Sequence, residues 1–319
     1  MFNQGVFLDV GSVDAGDISW SLLKATAQEW GWYQVTSPQQ TPERIADAEL
    51  VISNKVVLDR PCLAACQNLK LICIAATGSN NVDLDAAAEL GIAVTNVTGY
   101  ATPSVVQHVF SLILSLITRQ QSYQNAIANG EWQKASHFCF LDYPIWELSG
   151  KRIGILGYGE LGRGVARIAE AFGMQVLVAQ RPGSDAEPGR VPLDELLSMA
   201  DVLTIHTPLV ENTRNLIGAR ELALMQPHAL VINTARGGIV DESALAAALS
   251  RGELGGAGMD VLTTEPPING NPLLNTEIPN LIVTPHIAWA SREARQRLID
   301  GVTANIQAYL AGEPRNRLA

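Results

Sequence analysis

Three polar residues in the second half of the chain are of types that suit acid–base work on a small anion. Arg236 lies in Asn233-Thr234-Ala235-Arg236-Gly237-Gly238, Glu265 in Asp260-Val261-Leu262-Thr263-Thr264-Glu265-Pro266-Pro267, and His286 in Thr284-Pro285-His286-Ile287. Each follows a short apolar run that reads as a strand. A planar guanidinium binds a carboxylate through two hydrogen bonds. An imidazole exchanges a proton near neutral pH, and a carboxylate on its far ring nitrogen favours the imidazolium. The trio therefore suits reduction of a 2-oxo acid. The guanidinium holds the carboxylate, and the imidazole protonates the carbonyl oxygen that gathers charge as hydride reaches C2. Read singly, Arg236 is a solvated charge, Glu265 a loop cap and His286 a structural histidine. Their conjunction with the glycine motif described next points to catalysis.

Gly157-Tyr158-Gly159-Glu160-Leu161-Gly162 has the GxGxxG spacing. The pattern is weak alone, but the strand-like run Arg152–Leu156 precedes it and a helix-forming run, Arg163–Phe172, follows. In that context Gly157 permits the tight turn, Gly159 lets the backbone approach a pyrophosphate, and Gly162 lets the helix pack on the strand. The helix amino end, with Glu160 and Leu161, offers N–H groups to phosphate. An acid that would hold the ribose 2′-OH is expected about 20 residues on. The strand Gln175–Ala179 instead ends in Gln180-Arg181. Gln180 removes the repulsion of a 2′-phosphate, Arg181 supplies a cation for it, and Ser184 adds a hydroxyl. NADPH is therefore expected to serve at least as well as NADH. The alternative is that Arg181 points to solvent and Gln180 bonds the ribose of NAD.

Loops at the carboxyl ends of parallel strands collect at the ligand crevice of an open α/β sheet, and strand–helix alternation runs through the whole chain. In the first half strands are expected at Val6–Val10, Leu50–Ser53, Leu71–Ala75 and Ala93–Asn96, with helices at Trp20–Trp30 and Leu84–Leu90. A long helix starts near Pro103, with Val105, Val106, Val109, Leu112, Ile113 and Leu116 on its apolar face. An irregular aromatic stretch, Gly130–Ser149, follows. It either packs on its own chain or reaches a second subunit. A second series supplies strands at Ile153–Leu156, Val176–Ala179, Val202–His206, Ala229–Asn233, Gly256–Asp260 and Leu281–Thr284, and a final helix runs from about Ser291 to Leu310.

The 319 residues suggest two domains. A net charge of −10 disfavours nucleic acid and anionic membrane as partners. No targeting leader and no membrane span is expected, which points to the cytoplasm. Cys62, Cys66, Cys73 and Cys139 lack metal spacing and read as reduced thiols, and no metal site is expected. His108 reads as a packed core residue, and His206 lies where it would touch a cofactor.

The whole chain resembles the D-isomer-specific 2-hydroxyacid dehydrogenases, and within them the glycerate dehydrogenases, also called hydroxypyruvate reductases. The resemblance rests on Gly157–Gly162, Asn233–Gly238, Gly255–Pro267 and Thr284–Ile287. Ala76–Asp83, Gly99–Ser104 and His286–Trp289 support it. It implies an α/β fold of two Rossmann-like doubly wound parallel-sheet domains with a cleft between them. Residues 1–101 plus 288–319 would form a flavodoxin-like substrate domain. Residues 102–287 would form the NAD(P) domain, with a dimerisation helix and arm over about 103–149, and the protein would be a homodimer. The resemblance implies Arg236 as substrate clamp, His286 as acid/base and Glu265 as its partner. It adds cofactor contacts from Thr207, Pro208, Thr234, Ala235, Asp260 and Trp289, with turn capping as the other reading of Asp260. Substrate contacts would come from the N–H groups of Thr77, Gly78 and Ser79, and from Lys55. The implied activity is reduction of hydroxypyruvate to D-glycerate, and of glyoxylate. Its rivals are reduction of another small 2-oxo acid, and a dinucleotide-sensing interaction protein without meaningful turnover.

Overall fold

The protein is described by a computed structural model over residues 1–181, 183 and 187–319. Ser184 lies outside the described residues. Short runs of β-branched and aliphatic residues become parallel strands because helices on both faces allow every side chain to be buried. Strands β1 (Phe2–Phe7), β2 (Ala27–Trp32), β3 (Leu50–Ser53), β4 (Leu71–Ile74) and β5 (Ala93–Thr95) form one parallel sheet in the order β2-β1-β3-β4-β5. Every residue of β3, β4 and β5 is buried. Strands β6 (Arg152–Leu156), β7 (Gln175–Val178), β8 (Val202–Ile205), β9 (Leu230–Asn233), β10 (Gly256–Met259) and β11 (Leu281–Val283) form a second parallel sheet. Its order is β11-β10-β9-β8-β6-β7.

The sheets belong to two units, Met1–Pro103 with Trp289–Ala319, and Ser104–Ala288. In the first, the helix Arg292–Leu310 buries Leu298, Ile299, Val302 and Ile306 against residues of β1, β3 and β4. In the second, the helix Thr102–Ile117 buries Val105, Val106, Val109, Leu112, Ile113 and Leu116, the apolar face read from its periodicity. Leu112 reaches β10, where a Cβ on Gly258 would lie 3.0 Å from it. The strand order of the second sheet reverses between β6 and β8, so the loops leaving those strands diverge and leave a crevice at their carboxyl ends.

Two sequence expectations are corrected. The stretch Trp20–Trp30 is not one helix: Ser21–Lys24 makes a single turn and Ala27–Trp32 is the edge strand β2. Trp32 packs edge-on against Trp20 and tilted against Trp30, at centroid distances of 5.3 and 5.1 Å, and Gly5 of β1 leaves room for the Trp30 ring. That non-local packing, with Gly31 disfavouring a helix, outweighs local propensity. The first strand lies at Phe2–Phe7, and Val10–Ser12 forms a 3-10 turn rather than extended chain.

The arm packs partly on its own chain: Tyr123 contacts Phe140 and Tyr143 and donates its hydroxyl to the Tyr143 carbonyl at 2.8 Å. Phe138 and Leu141 stay 90% and 80% exposed. The four cysteines are free thiols, and burial pushes Cys62 up to about 11 and Cys73 up to about 12. Among the described residues no helix is long and apolar enough to cross a membrane, and no cluster of metal-ligating side chains occurs.

Candidate active site

Asn233 shapes the loop that follows β9. Its Oδ1 accepts from the Ala235 N–H at 3.0 Å and its Nδ2 donates to the Arg236 carbonyl at 2.9 Å. Arg236 is exposed, and its Nη1 donates to the Ala235 carbonyl at 2.7 Å. A Cβ on Gly237 would overlap the Leu262 carbonyl, so glycine is what lets this loop press against the loop that carries Glu265.

Glu265 accepts at both oxygens. Oε1 takes the Leu262 N–H at 2.9 Å, and Oε2 lies 2.6 Å from His286 Nδ1. A carboxylate can only accept, so Nδ1 carries the hydrogen and Nε2 is the nitrogen left for proton exchange. Both side chains are partly open to solvent, at 29% and 34%. The pair also walls a cavity of about 370 Å3 lined by Leu262, Pro267, Leu274, Val283 and Thr284.

His286 has φ +54°, in the left-handed region, where a non-glycine residue persists only when its surroundings enforce it. Here they do. The His286 N–H donates to the Asp260 carbonyl at 2.8 Å. The Asp260 carboxylate, 1% exposed, accepts from Thr284 Oγ1 at 2.6 Å and from the N–H groups of Ile287 and Ala288, each at 2.9 Å. His108 Nε2 lies 3.0 Å from Thr284 Oγ1. Asp260 thus caps the turn that aims the imidazole, and its own N–H is held by the Asn233 carbonyl at 2.9 Å. The hydrogen-bonded path from β9 through β10 to His286 is what places these loops.

The glycine motif follows β6, and Gly159 precedes the helix Glu160–Ala171. Gly157 has φ +96°, and a Cβ there would lie 2.6 Å from the His206 carbonyl. A Cβ on Gly162 would overlap the Gly157 carbonyl, whereas nothing lies within 4 Å of the position beside Gly159. The turn is therefore closed toward the protein and open outward, the shape a pyrophosphate needs. Three buried atoms have no partner among the described residues: Arg119 Nε at the end of the long helix, Thr234 Oγ1 just past β9, and His206 Nδ1 beside the glycine turn. His206 Nε2 lies 2.9 Å from Thr204 Oγ1, and burial pushes the imidazole down to about 4. An open cradle with two unspent polar atoms at the ends of β8 and β9 fits a bound dinucleotide. Thr207 and Pro208 follow His206 just past the end of β8, and the Pro208 carbonyl accepts from Thr213 Oγ1 at 2.8 Å.

The Gln180 N–H donates to the Val191 carbonyl at 2.8 Å. Arg181 is exposed, with Nε 3.5 Å from Glu187 Oε1. Glu187 Oε2 lies 2.8 Å from Arg190 Nε. The sequence reading missed Glu187 and Arg190, since nothing in the spacing marks an acid bridging two guanidiniums here.

In the first unit, Lys55 is exposed on the loop after β3. Thr77, Gly78 and Ser79 follow β4, with Thr77 Oγ1 donating to the Val97 carbonyl at 2.9 Å. Trp289 packs edge-on against Tyr100, ring centroids 6.4 Å apart.

Residues 110–288 match the family described as D-isomer specific 2-hydroxyacid dehydrogenase, NAD binding domain. The chain belongs to the D-isomer-specific 2-hydroxyacid dehydrogenases. It is 44% identical over 317 residues to a glycerate dehydrogenase of Methylorubrum extorquens, covering 99% of each chain. It is 37% identical over 317 residues to a hydroxypyruvate reductase of Blautia hydrogenotrophica, covering 98% of each. A crystal structure of a Thermus thermophilus protein superposes with a TM-score of 0.86 at 32% identity, covering 99% of this chain and 100% of that one. Members of the family are oxidoreductases that use a nicotinamide dinucleotide, which agrees with the open cradle at Gly157–Gly162.

Proposed function

We propose that the protein reduces hydroxypyruvate to D-glycerate, and glyoxylate to glycolate, in the cytoplasm as a homodimer. The observation that carries the catalytic part is the 2.6 Å contact between His286 Nδ1 and Glu265 Oε2. Arg236 binds the substrate carboxylate through its guanidinium. Lys55 and the backbone N–H groups of Thr77, Gly78 and Ser79 add donors for the same small acid. Bound NAD(P)H supplies the hydride that reaches C2. The carbonyl oxygen takes its proton from His286 Nε2, and Glu265 supports the positive charge of the imidazolium beforehand. Oxidation of the hydroxy acid runs the same path backwards, with His286 as base.

The substrate assignment is supported by the names of the two relatives that match nearly the full chain. The dinucleotide is held by Gly157, Gly159, Glu160, Leu161 and Gly162, with Thr207, Pro208, Thr234, Ala235 and Trp289 beside it and Asp260 acting through the turn it caps. Gln180 and Arg181 admit a 2′-phosphate, so NADPH serves at least as well as NADH. A 2′-phosphate would share Arg181 and Arg190 with Glu187. The exposed Phe138 and Leu141, with the long helix Thr102–Ile117, support a dimer interface.

The test is a substrate panel followed by loss of NAD(P)H absorbance. Hydroxypyruvate should give the highest kcat/KM and glyoxylate a lower one. Turnover of a bulky aromatic 2-oxo acid with neither of these would overturn the assignment.

A further inference from the structure

Asp9 is a buried carboxylate, 6% exposed, that none of the chemistry above uses. It lies just past β1, and both oxygens face the loop after β3. Oδ1 accepts from the Asn54 N–H at 2.9 Å and Oδ2 from the Lys55 N–H at 2.7 Å. The same loop is tied down elsewhere. Asn54 Nδ2 donates to Ser12 Oγ at 3.0 Å, and Ser12 Oγ in turn donates to the Asp9 carbonyl at 2.7 Å. Ser53 Oγ donates to the Val56 carbonyl at 3.0 Å. Asn81 Nδ2 reaches the same carbonyl at 3.1 Å, and the Asn81 carbonyl takes the Leu58 N–H at 2.7 Å. Asn81 stands two residues beyond Ser79, so one hydrogen-bonded frame joins the Lys55 loop to the Thr77–Ser79 loop.

The backbone of residues 53–58 is therefore fixed, while the Lys55 side chain stays exposed. Burial pushes the Asp9 carboxyl above the usual carboxylate range, and the N–H groups of Asn54, Lys55 and Val56 and the Lys55 charge pull it back. The Asn54 N–H is buried and the Lys55 N–H half-buried, so both need partners inside the protein, and one carboxylate meets the two together. Such an arrangement fixes the Cα–Cβ direction along which the exposed Lys55 side chain leaves the loop, and a side chain with fewer open conformations loses less entropy when an anion binds.

We infer that Asp9 is a positioning residue that presents Lys55 to the carboxylate of the 2-oxo acid. This rests on the substrate role given to Lys55 above. Asp9 touches no substrate and acts through the loop. Asp9→Asn keeps the shape but turns an amide N–H toward a backbone N–H, which leaves a donor unpaired.

The test is a double-mutant cycle with Asp9→Asn and Lys55→Met in the full-length enzyme, reading KM for hydroxypyruvate, kcat and the Kd for NADH. Asp9→Asn should raise KM by about tenfold, the loss of one charge-assisted contact, with kcat within about twofold and the NADH Kd unchanged. In the Lys55→Met background it should raise KM no further. Ser12→Ala loosens the same frame more gently and should act the same way, less strongly, which keeps the test open if Asp9→Asn fails to fold. Independent, additive rises in KM would overturn the positioning role, as would an Asp9→Asn enzyme that matches wild type while Lys55→Met is impaired. A Lys55→Met enzyme with unchanged KM would instead overturn the substrate role of Lys55.

Discussion

Glu265 Oε2 lies 2.6 Å from His286 Nδ1 while Glu265 Oε1 holds the Leu262 N–H at 2.9 Å. The carboxylate is thus anchored on its own loop before it meets the imidazole, and its angle to the ring is set by backbone. Glu265→Gln keeps the shape and the Leu262 contact but removes the charge. The pH profile for reduction should then move toward acid, because the imidazolium loses its counter-charge. kcat/KM measured from pH 5 to 9 checks this. A profile superimposable on wild type would contradict the partnership.

Arg236 is set by the Asn233 turn and by the close passage at Gly237. Arg236→Ala should raise KM and lower kcat together, since the clamp both binds and orients. Arg236→Lys should restore only part of the loss, because an ammonium cannot make the two-pronged contact. Steady-state kinetics with hydroxypyruvate decides it, and full rescue by lysine would argue for simple charge attraction.

The cofactor prediction rests on the end of β7. Wild type should use NADPH at least as efficiently as NADH, and Gln180→Asp should shift the ratio of kcat/KM toward NADH by about tenfold or more, the worth of a charge-assisted contact. A wild type that strongly prefers NADH, with Gln180→Asp changing nothing, would contradict it.

Much of this was legible in the chain itself. The helix Thr102–Ile117 announces its buried face by periodicity, and Gly157–Gly162 announces its turn by flanking elements. Non-local features were not legible. The strand Ala27–Trp32 is made by tryptophan packing across two strands, which no local pattern encodes. Asp260 reads as the last residue of a strand, yet its oxygens meet donors 24–28 positions away. Glu187 and Arg190 form their pair in the loop beyond β7, where no spacing or motif marks them.

His206 gives a pH dependence of stability. Burial holds its folded-state value near 4, whereas the unfolded chain protonates near ~6.5. Between these values the unfolded state binds more protons, so stability is full above ~6.5 and is lost as pH falls toward 4. From pH 7 to 4.5, wild type should lose about 2 kcal/mol more than His206→Asn. Denaturant unfolding at both pH values measures it, and equal losses would contradict the buried neutral imidazole.

The most direct test of the account is hydroxypyruvate reduction by His286→Ala, with cofactor affinity measured on the same preparation. General acid catalysis contributes about 10²–10⁴-fold, so kcat should fall by that factor while the Kd for NAD(P)H stays near wild type. A variant that retains wild-type kcat would contradict the assignment of His286 as the proton donor.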